Sequence, residues 1–258
     1  MQAAETADDP GARGTPGTRS PEPAGHPGDP RNPGNPADLE DTADLSPFPG
    51  LAGAPAGYAA PAGYGAPCPL PADSGDLLDR LADWGPLPTQ AGVFQLVPVR
   101  PERDLSLVAT WMNDPVVDAF WNLAGPASRT AAHLRAQLEG DGRSIPCLGL
   151  LDGLPMSYWE IYRADLDPLA RYYPSRLHDT GLHLLIGSAE DRGRGLGSAL
   201  LRGVTALVLR HRPRCERVVA EPDIRNHASV AAFRAAGFRH AGQADLPHKR
   251  AALLLRER

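Results

Sequence analysis

A glycine-rich turn flanked by arginines is the first part of the sequence that could bind a ligand. It reads RGRGLG over residues 192–197 and leads straight into an apolar helical pattern. Its glycines let the backbone approach an anion, and a helix that begins near Ser198 points free amide groups at the same place. No Gly-Lys-Ser/Thr follows, as a nucleotide P-loop requires, and Ser198 replaces the third glycine of the dinucleotide fingerprint. The turn therefore predicts a pyrophosphate-binding loop of another kind, with a plain connector as the alternative.

A histidine and an aspartate near this loop are candidates for acid–base chemistry. His183 lies in the strand-like stretch that leads to the loop, and the ordinary pKa of an imidazole is close to neutral pH. Asp223 ends the next strand-like stretch, where it could orient the imidazole or hold a substrate. From the residues alone, a histidine in an apolar strand such as His183 is more often a buried core residue, and Asp223 could cap a turn.

The apolar periodicity predicts the elements that must position these residues. Strand patterns cover 93–101, 144–151, 155–164, 181–187 and 216–223, with two more near 239–244 and 250–256. Helical patterns cover 102–114, 128–140, 198–211 and 226–238, with Ser128 and Asn226 as N-caps. The dipeptide Asp152-Gly153 predicts a tight hairpin between two antiparallel strands. This order of elements indicates an α/β fold with a mixed sheet.

Composition divides the chain into a tail and a domain. Of the 28 prolines and 27 glycines, 15 and 12 respectively precede residue 76. Such a segment buries too little apolar surface to offset its ordering entropy, so residues 1–75 are predicted to be a disordered tail. Residues 76–92 are predicted to form a short docking helix that ends at Gly85, followed by a linker. Residues 93–258 then form one domain of ordinary size.

Charge and cysteine content exclude several classes of protein. The formal net charge of −5, with no evident basic face, argues against nucleic acid as a partner and favours a small molecule. The N-terminus lacks the pattern of a secretory signal and no stretch could span a bilayer, so we expect a cytoplasmic protein with no membrane partner. Cys68, Cys147 and Cys215 are too scattered for a disulfide framework or a zinc site, and no metal is expected.

Two motifs resemble those of the GNAT superfamily of acyl-CoA-dependent N-acyltransferases. The loop is similar to the superfamily's Arg/Gln-x-x-Gly-x-Gly/Ala signature, and NHASVAAFRAAGF at 226–238 is similar to its Asn-x-x-Ala/Ser helix with a terminal Gly-Phe. The resemblance covers about residues 93–258 and implies the GNAT fold, with acetyl-CoA or another acyl-CoA as co-substrate. It assigns coenzyme A binding to Arg192, Gly193, Arg194, Gly195, Leu196, Gly197, Ser198 and Asn226.

A narrower resemblance is spread across the domain, in WMNDPVVDAFW (111–121), YWEIYRA (158–164), HLLIG (183–187), EPDIRN (221–226) and LPHKRAAL (246–253). These stretches are similar to the siderophore-biosynthesis branch, which includes N6-hydroxylysine O-acetyltransferases and mycobactin-type lysine N-acyltransferases. The resemblance implies an enzyme that acetylates N6-hydroxylysine or a similar hydroxylamine to a hydroxamate. One alternative is transfer of a medium or long acyl chain to a lysine amine, from coenzyme A or an acyl carrier protein. Another is a non-catalytic acyl-CoA-binding domain.

The same resemblance suggests roles for individual residues. In the siderophore branch the histidine and aspartate that match His183 and Asp223 act on the substrate, so these two are the predicted catalytic residues. Further predictions place substrate contacts at Trp111, Trp121, Trp159, Tyr162 and Lys249, the last at the α-carboxylate of an amino-acid acceptor. Many GNAT enzymes carry a tyrosine in the last helix that protonates the leaving thiolate, and Phe233 stands at that position here.

Overall fold

The computed structural model describes residues 78–258, and the predicted disordered tail lies outside them. The strands are β1 (Leu87–Thr89), β2 (Gly92–Pro98), β3 (Ser144–Leu151), β4 (Leu154–Arg163), β5 (Thr180–Ile186), β6 (Arg217–Ala220), β7 (Arg239–Leu246) and β8 (Lys249–Glu257). The α-helices are α1 (Pro101–Met112), α2 (Pro115–Trp121), α3 (Ala127–Leu138), α4 (Leu196–His211) and α5 (His227–Ala235). Short 3₁₀ helices occupy Leu78–Trp84, Pro168–Arg171 and Ala189–Asp191. None of these helices is long and apolar enough to cross a membrane.

The eight strands found within residues 78–258 form one sheet in the order β1-β2-β3-β4-β5-β6-β8-β7. Neighbouring strands are antiparallel except for β5 and β6, which are parallel, so the predicted mixed sheet is confirmed. The predicted hairpin between β3 and β4 is also confirmed. It turns at Asp152 and Gly153, whose φ angles of 49° and 82° are the positive values that a type I′ turn requires.

The sheet splits open between its two parallel strands. β5 and β6 pair only through Thr180 with Val218 and Gly181 with Val219. Beyond Gly181, β5 continues to its end at Ile186, where no described strand pairs with it on the β6 side. His183 lies on this unpaired half of β5, and the glycine-rich loop follows a few residues later. The split therefore places the two predicted functional features at one opening in the sheet.

Helices cover both faces of the sheet, and the side chains of each strand alternate between the two layers. One layer holds α4 and α5 over a core that includes Trp159, and the other holds α1, α2 and α3 over Tyr158. Glu160 lies two residues beyond Tyr158 and therefore faces the α1–α3 layer. Its direct cross-strand partner is His183, so the carboxylate and the imidazole share that face.

The residues before the predicted domain belong to the folded unit. Leu78, Leu81 and Trp84 of the first 3₁₀ helix are buried in the α4–α5 core, and the Trp84 ring stacks on His211 of α4 with ring centroids 5.5 Å apart. This short helix therefore packs against α4 through its apolar side chains. The predicted linker after it contains β1, which pairs with β2 at the edge of the sheet.

Helix starts depend on local hydrogen bonds that the sequence only partly reveals. The predicted N-cap at Asn226 is confirmed, because its Oδ1 accepts a hydrogen bond from the Ser229 amide at 3.0 Å. The predicted N-cap at Ser128 is wrong, because α3 begins one residue earlier, after Pro126, and no side chain caps it. Ser128 instead lies inside the first turn of the helix.

Helix α2 is absent from the sequence prediction, although it contributes walls to the site. Its seven residues are too few for an apolar period to stand out. It starts because the Asp114 carboxylate accepts a hydrogen bond from the Val116 amide and Pro115 fits the first turn. It ends at Asn122, whose φ of 50° breaks the helix.

Candidate active site

The glycine-rich loop has the backbone form of an anion site. Gly193 and Gly195 have φ angles of 72° and 76°, and a Cβ at either position would meet no atom within 4 Å. Gly195 caps α4, which begins at Leu196, two residues before the predicted start. Leu196 turns its side chain into the core, so it can offer a ligand only its backbone. The free amides of this first turn and the open space beside the glycines suit a phosphate group.

The two arginines of the loop differ in what they contact. The Arg192 guanidinium donates to the carbonyl oxygens of Ile186 and Gly187 at 3.0 and 2.8 Å, and it lies 2.9 Å from an Asp114 carboxylate oxygen. The Arg192 side chain therefore anchors the loop to β5 and α2, a role that differs from the predicted contact with coenzyme A. Arg194 is about a third exposed, and its guanidinium lies 3.5 Å from a neighbouring aspartate.

A cleft of about 480 Å³ extends from this loop between α2, β5 and α5. Its walls are mostly apolar and include Val116, Val117, Phe120, Trp121, Leu184, Leu185, Ile186, Leu201 and Phe233. Its polar end is formed by Arg192, Gly193, Gly195, Gly197, Ser198 and Asn226. An anion-binding end joined to an apolar body suits the pyrophosphate and the thioester arm of an acyl-CoA.

A second cavity of about 270 Å³ adjoins the cleft. The two share walls formed by Phe120, Trp121, Leu184, Asn226, Ser229 and Phe233. The second cavity is lined by seven charged or titratable side chains that the first does not contact, namely His133, Glu160, His183, Glu221, Asp223, His248 and Lys249. We call the first the donor cleft and the second the acceptor cavity, because one suits an acyl-CoA and the other a polar molecule.

His183 is held between two glutamates. Its Nδ1 lies 2.8 Å from Oε2 of Glu160, its partner across β4 and β5, and its Nε2 lies 2.5 Å from Oε1 of Glu221. Glu221 directly follows β6, so the imidazole bridges the split in the sheet by side chains where backbone pairing has ended. Both carboxylates are buried, and about a third of the imidazole side chain is exposed.

Each of these carboxylates has further donors around it. Glu160 accepts from the Tyr158 hydroxyl at 2.9 Å and the Gln137 amide at 2.8 Å, and its Oε1 lies 2.5 Å from Nε2 of His133 on α3. This number of donors stabilises the ionised form of a buried carboxylate. Within residues 78–258, no cluster of histidine, cysteine, aspartate and glutamate is arranged to hold a metal ion.

Glu221 is likewise surrounded by donors. Its Oε2 accepts from the Tyr162 hydroxyl at 2.7 Å, and its Oε1 lies 3.5 Å from the Lys249 ammonium. Burial raises the pKa of Glu221, but the charge and hydrogen bond of His183 and the charge of Lys249 outweigh it and lower the pKa to about 2. Burial also raises the pKa of Glu160, and its hydrogen bonds to His133 and His183 bring it well below the ordinary value.

The two ionised glutamates keep His183 protonated at neutral pH. Carboxylates can only accept hydrogen bonds, so both ring nitrogens must donate. Burial lowers the pKa of His183, but the charge of Glu221 and the hydrogen bonds to both carboxylates outweigh it and raise the pKa to about 10. Of the acid–base roles predicted for His183, this geometry opposes that of a general base, since an imidazolium has no lone pair with which to accept a proton.

Asp223 lies in the acceptor cavity but has a different partner from the one predicted. Its carboxylate binds Arg225 through the backbone amide at 2.9 Å and through the guanidinium, with a shortest distance of 2.6 Å. The prediction that Asp223 orients the imidazole is wrong, because Glu160 and Glu221 occupy both ring nitrogens of His183. The alternative prediction, that Asp223 holds a substrate, is compatible with its place in the cavity wall.

Two predicted acceptor contacts, Trp121 and Lys249, line the acceptor cavity, and a third, Tyr162, is buried behind His183 and does not line it. Trp121 stands edge-on to His183, with ring centroids 6.0 Å apart. Tyr162 packs under the same imidazole at a centroid distance of 4.9 Å, where Gly181 leaves room for its ring. Lys249 lines the cavity, and its ammonium faces Glu221.

The other two predicted tryptophan contacts are wrong. Trp159 is fully buried on the α4–α5 side of the sheet, where its indole N–H donates to the Ser157 hydroxyl at 2.9 Å. Trp111 is buried among the apolar residues of the α1–α3 layer and packs against Gly187, where a Cβ would collide with the indole. Neither side chain lines the donor cleft or the acceptor cavity.

Sequence reasoning missed the two glutamates that define the site. Glu160 is the one acidic residue in the otherwise buried apolar strand β4, which is a signal that could have singled it out. Glu221 directly follows the buried strand β6, and an acidic residue at that place is a signal of the same kind. Their partnership with His183 depends on strand register and on the split between β5 and β6, neither of which a single sequence displays.

Comparison with known proteins gives the class of this protein. Residues 100–246 match the family described as "Acetyltransferase (GNAT) domain", and the chain belongs to that family. It is 37% identical over 186 residues to the lysine N-acyltransferase MbtK of Mycolicibacterium paratuberculosis, covering 71% of this chain and 83% of the relative. It is 37% identical over 158 residues to an N(6)-hydroxylysine O-acetyltransferase of Escherichia coli, covering 61% of this chain and 50% of the relative.

A solved structure supports the same assignment of fold. A crystal structure of an uncharacterised protein from Bacillus halodurans superimposes with a TM-score of 0.61 at 34% identity, covering 64% of this chain and 84% of that one. The predicted GNAT fold and the resemblance to lysine and hydroxylysine acyltransferases are confirmed. The chain is thus an acyltransferase with an acyl-CoA as co-substrate.

Proposed function

We propose that this protein transfers an acetyl group from acetyl-CoA to the terminal hydroxylamine nitrogen of N6-hydroxylysine, and so makes a hydroxamate for siderophore assembly. The observation that carries the proposal is the position of His183 between two ionised carboxylates. A protonated imidazole cannot take a proton from a lysine ammonium, whose ordinary pKa is about 10.4. A hydroxylamine needs no such base, because its oxygen withdraws electron density and leaves the nitrogen neutral at pH 7.

The reaction with a neutral acceptor requires one internal proton transfer. The nitrogen attacks the thioester carbonyl, a C–N bond forms, and the carbonyl oxygen takes up negative charge. In this intermediate the nitrogen is positively charged and strongly acidic, so even a carboxylate of low basicity such as Glu221 can accept its proton. The C–S bond then breaks, and the thiolate recovers that proton as coenzyme A leaves. Phe233 has no hydroxyl with which to protonate the thiolate.

The size of the acceptor cavity also supports a small amino-acid acceptor. Its volume of about 270 Å³ lies below the range of roughly 300–1,000 Å³ usual for sites that bind drug-sized ligands. The relatives described above are named for lysine and N6-hydroxylysine, which are acceptors of this size.

A second candidate function is transfer of a longer acyl chain to a lysine amine. Val116 and Phe120 of α2 line the donor cleft and are 63% and 39% exposed, although both are apolar. An extended acyl chain would cover such a surface. The donor would then be a long-chain acyl-CoA or an acyl carrier protein, and the lysine would have to enter the cavity as the free amine.

Product analysis distinguishes these candidates. The full chain is incubated at pH 7 with acetyl-, succinyl- or long-chain acyl-CoA, each offered with lysine, N6-hydroxylysine or N-hydroxycadaverine, and products are identified by mass spectrometry. The first candidate predicts acetyl-N6-hydroxylysine as the main product. Acyl-lysine formed mainly from the long-chain donor would instead establish the second candidate.

A further inference from the structure

An ion pair at the wall of the acceptor cavity is unevenly buried. The Asp223 carboxylate is 7% exposed and lines the cavity, whereas the Arg225 side chain bound to it is 73% exposed. The guanidinium contacts the carboxylate by Nη2 at 2.6 Å and by Nε at 3.0 and 3.2 Å. Because the guanidinium faces solvent, water can hydrate it when another cation takes its place at Asp223.

The other charged groups of the acceptor cavity are bound more firmly to one another. Glu160 and Glu221 are buried on either side of His183, and the Lys249 ammonium faces Glu221. Asp223 differs from these carboxylates because the cation it binds lies toward solvent. Of the carboxylates that line this cavity, Asp223 is therefore the one best able to exchange its partner for a group of a bound molecule, while Arg225 lies just outside the cavity walls.

We propose that Asp223 and Arg225 together bind the zwitterionic end of an amino-acid acceptor by exchange of ion pairs. The α-ammonium replaces the guanidinium at Asp223, and the released guanidinium binds the α-carboxylate. The acceptor brings one positive and one negative group, which pair with Asp223 and Arg225, so the net charge of the site is unchanged. This inference rests on the proposed function, since it takes the acceptor to be an amino acid.

The arrangement of the cavities sets the direction of the acceptor. Asp223 lines only the acceptor cavity, whereas Trp121 and Phe233 line both spaces. An acceptor held by its α-carbon at Asp223 can extend its side chain toward the shared walls, where the thioester of the donor is expected. Arg225 would then select acceptors that carry an α-carboxylate.

Binding measurements on Arg225→Gln test this selection directly. Calorimetry with coenzyme A present gives the Kd of N6-hydroxylysine and of N-hydroxycadaverine, which has the same hydroxylamine and amine but no carboxylate. A charge-assisted hydrogen bond is lost, so Kd for hydroxylysine should rise about 10- to 100-fold while Kd for hydroxycadaverine changes less than about threefold. Asp223→Asn should weaken both molecules, since both carry the amine.

Matched controls separate this role from general effects on the fold. Arg250→Gln breaks a similar exposed pair with Asp245, at 2.7 Å, outside the cavity walls, and it should change neither Kd. Equal weakening of both molecules by Arg225→Gln, a loss confined to coenzyme A binding, or no change would each overturn the proposal. If the wild type acylates lysine instead of hydroxylysine, the proposed acceptor is wrong, but the comparison of lysine with cadaverine still tests Arg225.

Discussion

Replacing Glu221 by glutamine removes one negative charge from the His183 site and keeps the shape of the side chain. The glutamine oxygen can still accept from His183 Nε2, and its amide can donate to the Tyr162 hydroxyl, which is able to accept in place of donating. The substitution therefore isolates the charge. We expect the pKa of His183 to fall from about 10 toward its ordinary value of about 6.5.

The loss of stability follows from the burial of the pair. Removal of one partner of a fully buried ion pair costs about 3–5 kcal/mol. Here Glu160 keeps its own bond to His183 at 2.8 Å, and the imidazole side chain is 35% exposed, so solvent screens part of the loss. We therefore expect the free energy of unfolding at pH 6.5 to fall by about 1–3 kcal/mol.

The effect has a definite dependence on pH. The pKa of His183 is higher in the folded protein than in the unfolded chain, so its stabilising effect is complete below about pH 6.5. That effect is lost as the pH rises toward the folded pKa of about 10. The difference between wild type and Glu221→Gln should therefore shrink between pH 6.5 and 9.5. Below pH 4.5 the difference should shrink again, as Glu221, with a folded pKa of about 2, becomes protonated in the unfolded chain.

Urea unfolding and NMR titration measure these quantities. The imidazole signal of His183 is assigned as the one missing from His183→Asn. Glu216→Gln provides a control, because Glu216 is exposed and pairs with Arg176 only at 4.0 Å, so its loss should change stability by less than about 1 kcal/mol. An imidazole of wild-type His183 that titrates near pH 6.5 would refute the assignment of a positive charge.

Two further substitutions and one truncation test the glycine-rich loop, the core position of Trp159 and the domain boundary. Gly195→Glu should raise the Kd for coenzyme A at least about tenfold, because a carboxylate would take the phosphate position. Gly142→Glu is the control, since Gly142 has a similar φ of 75° and open surroundings away from the loop, and it should leave that Kd unchanged. Equal Kd values for the two variants would exclude the phosphate role. Trp159→Ala should lower the free energy of unfolding by about 3–5 kcal/mol without altering the acceptor KM of the folded enzyme, since this side chain is core. Deletion of residues 1–70 should leave thermal stability and turnover nearly unchanged, and a large loss of either would show that the domain boundary is misplaced.

The sequence predicts those features whose signals are local. The Asp152-Gly153 turn and the cap at Asn226 each depend on a few adjacent residues and are found at their predicted places, and the glycine turn is found with its helix starting two residues early. Helix α2 has no such signal, because Pro115 marks the end of the preceding helix as readily as the start of a new one. Local chemistry therefore fixes turns and caps better than it fixes short elements.

The candidate site is predicted only in part because its partners come from distant strands. His183 could be chosen from its strand and its chemistry, but Glu160 and Glu221 reach it through cross-strand register and through the split beside β5. Trp159 was a reasonable choice by residue type, and strand alternation places it on the opposite face from Glu160. The packing of the helices decides which face of β4 lies in the core and which lines the site, and no local sequence pattern predicts that packing.

The pH dependence of turnover on two acceptors tests the central claim most directly. With acetyl-CoA saturating, kcat/KM is measured for N6-hydroxylysine and for lysine between pH 7 and pH 9. If His183 is held protonated, the site has no neutral imidazole at that position with which to deprotonate an amine. The value of kcat/KM for hydroxylysine should then be nearly constant over this range. For lysine the value should be low at pH 7 and should rise about tenfold per pH unit, as the free amine with its pKa of about 10.4 becomes available. Lysine acylated as fast as hydroxylysine at pH 7, with no such rise, would contradict the claim.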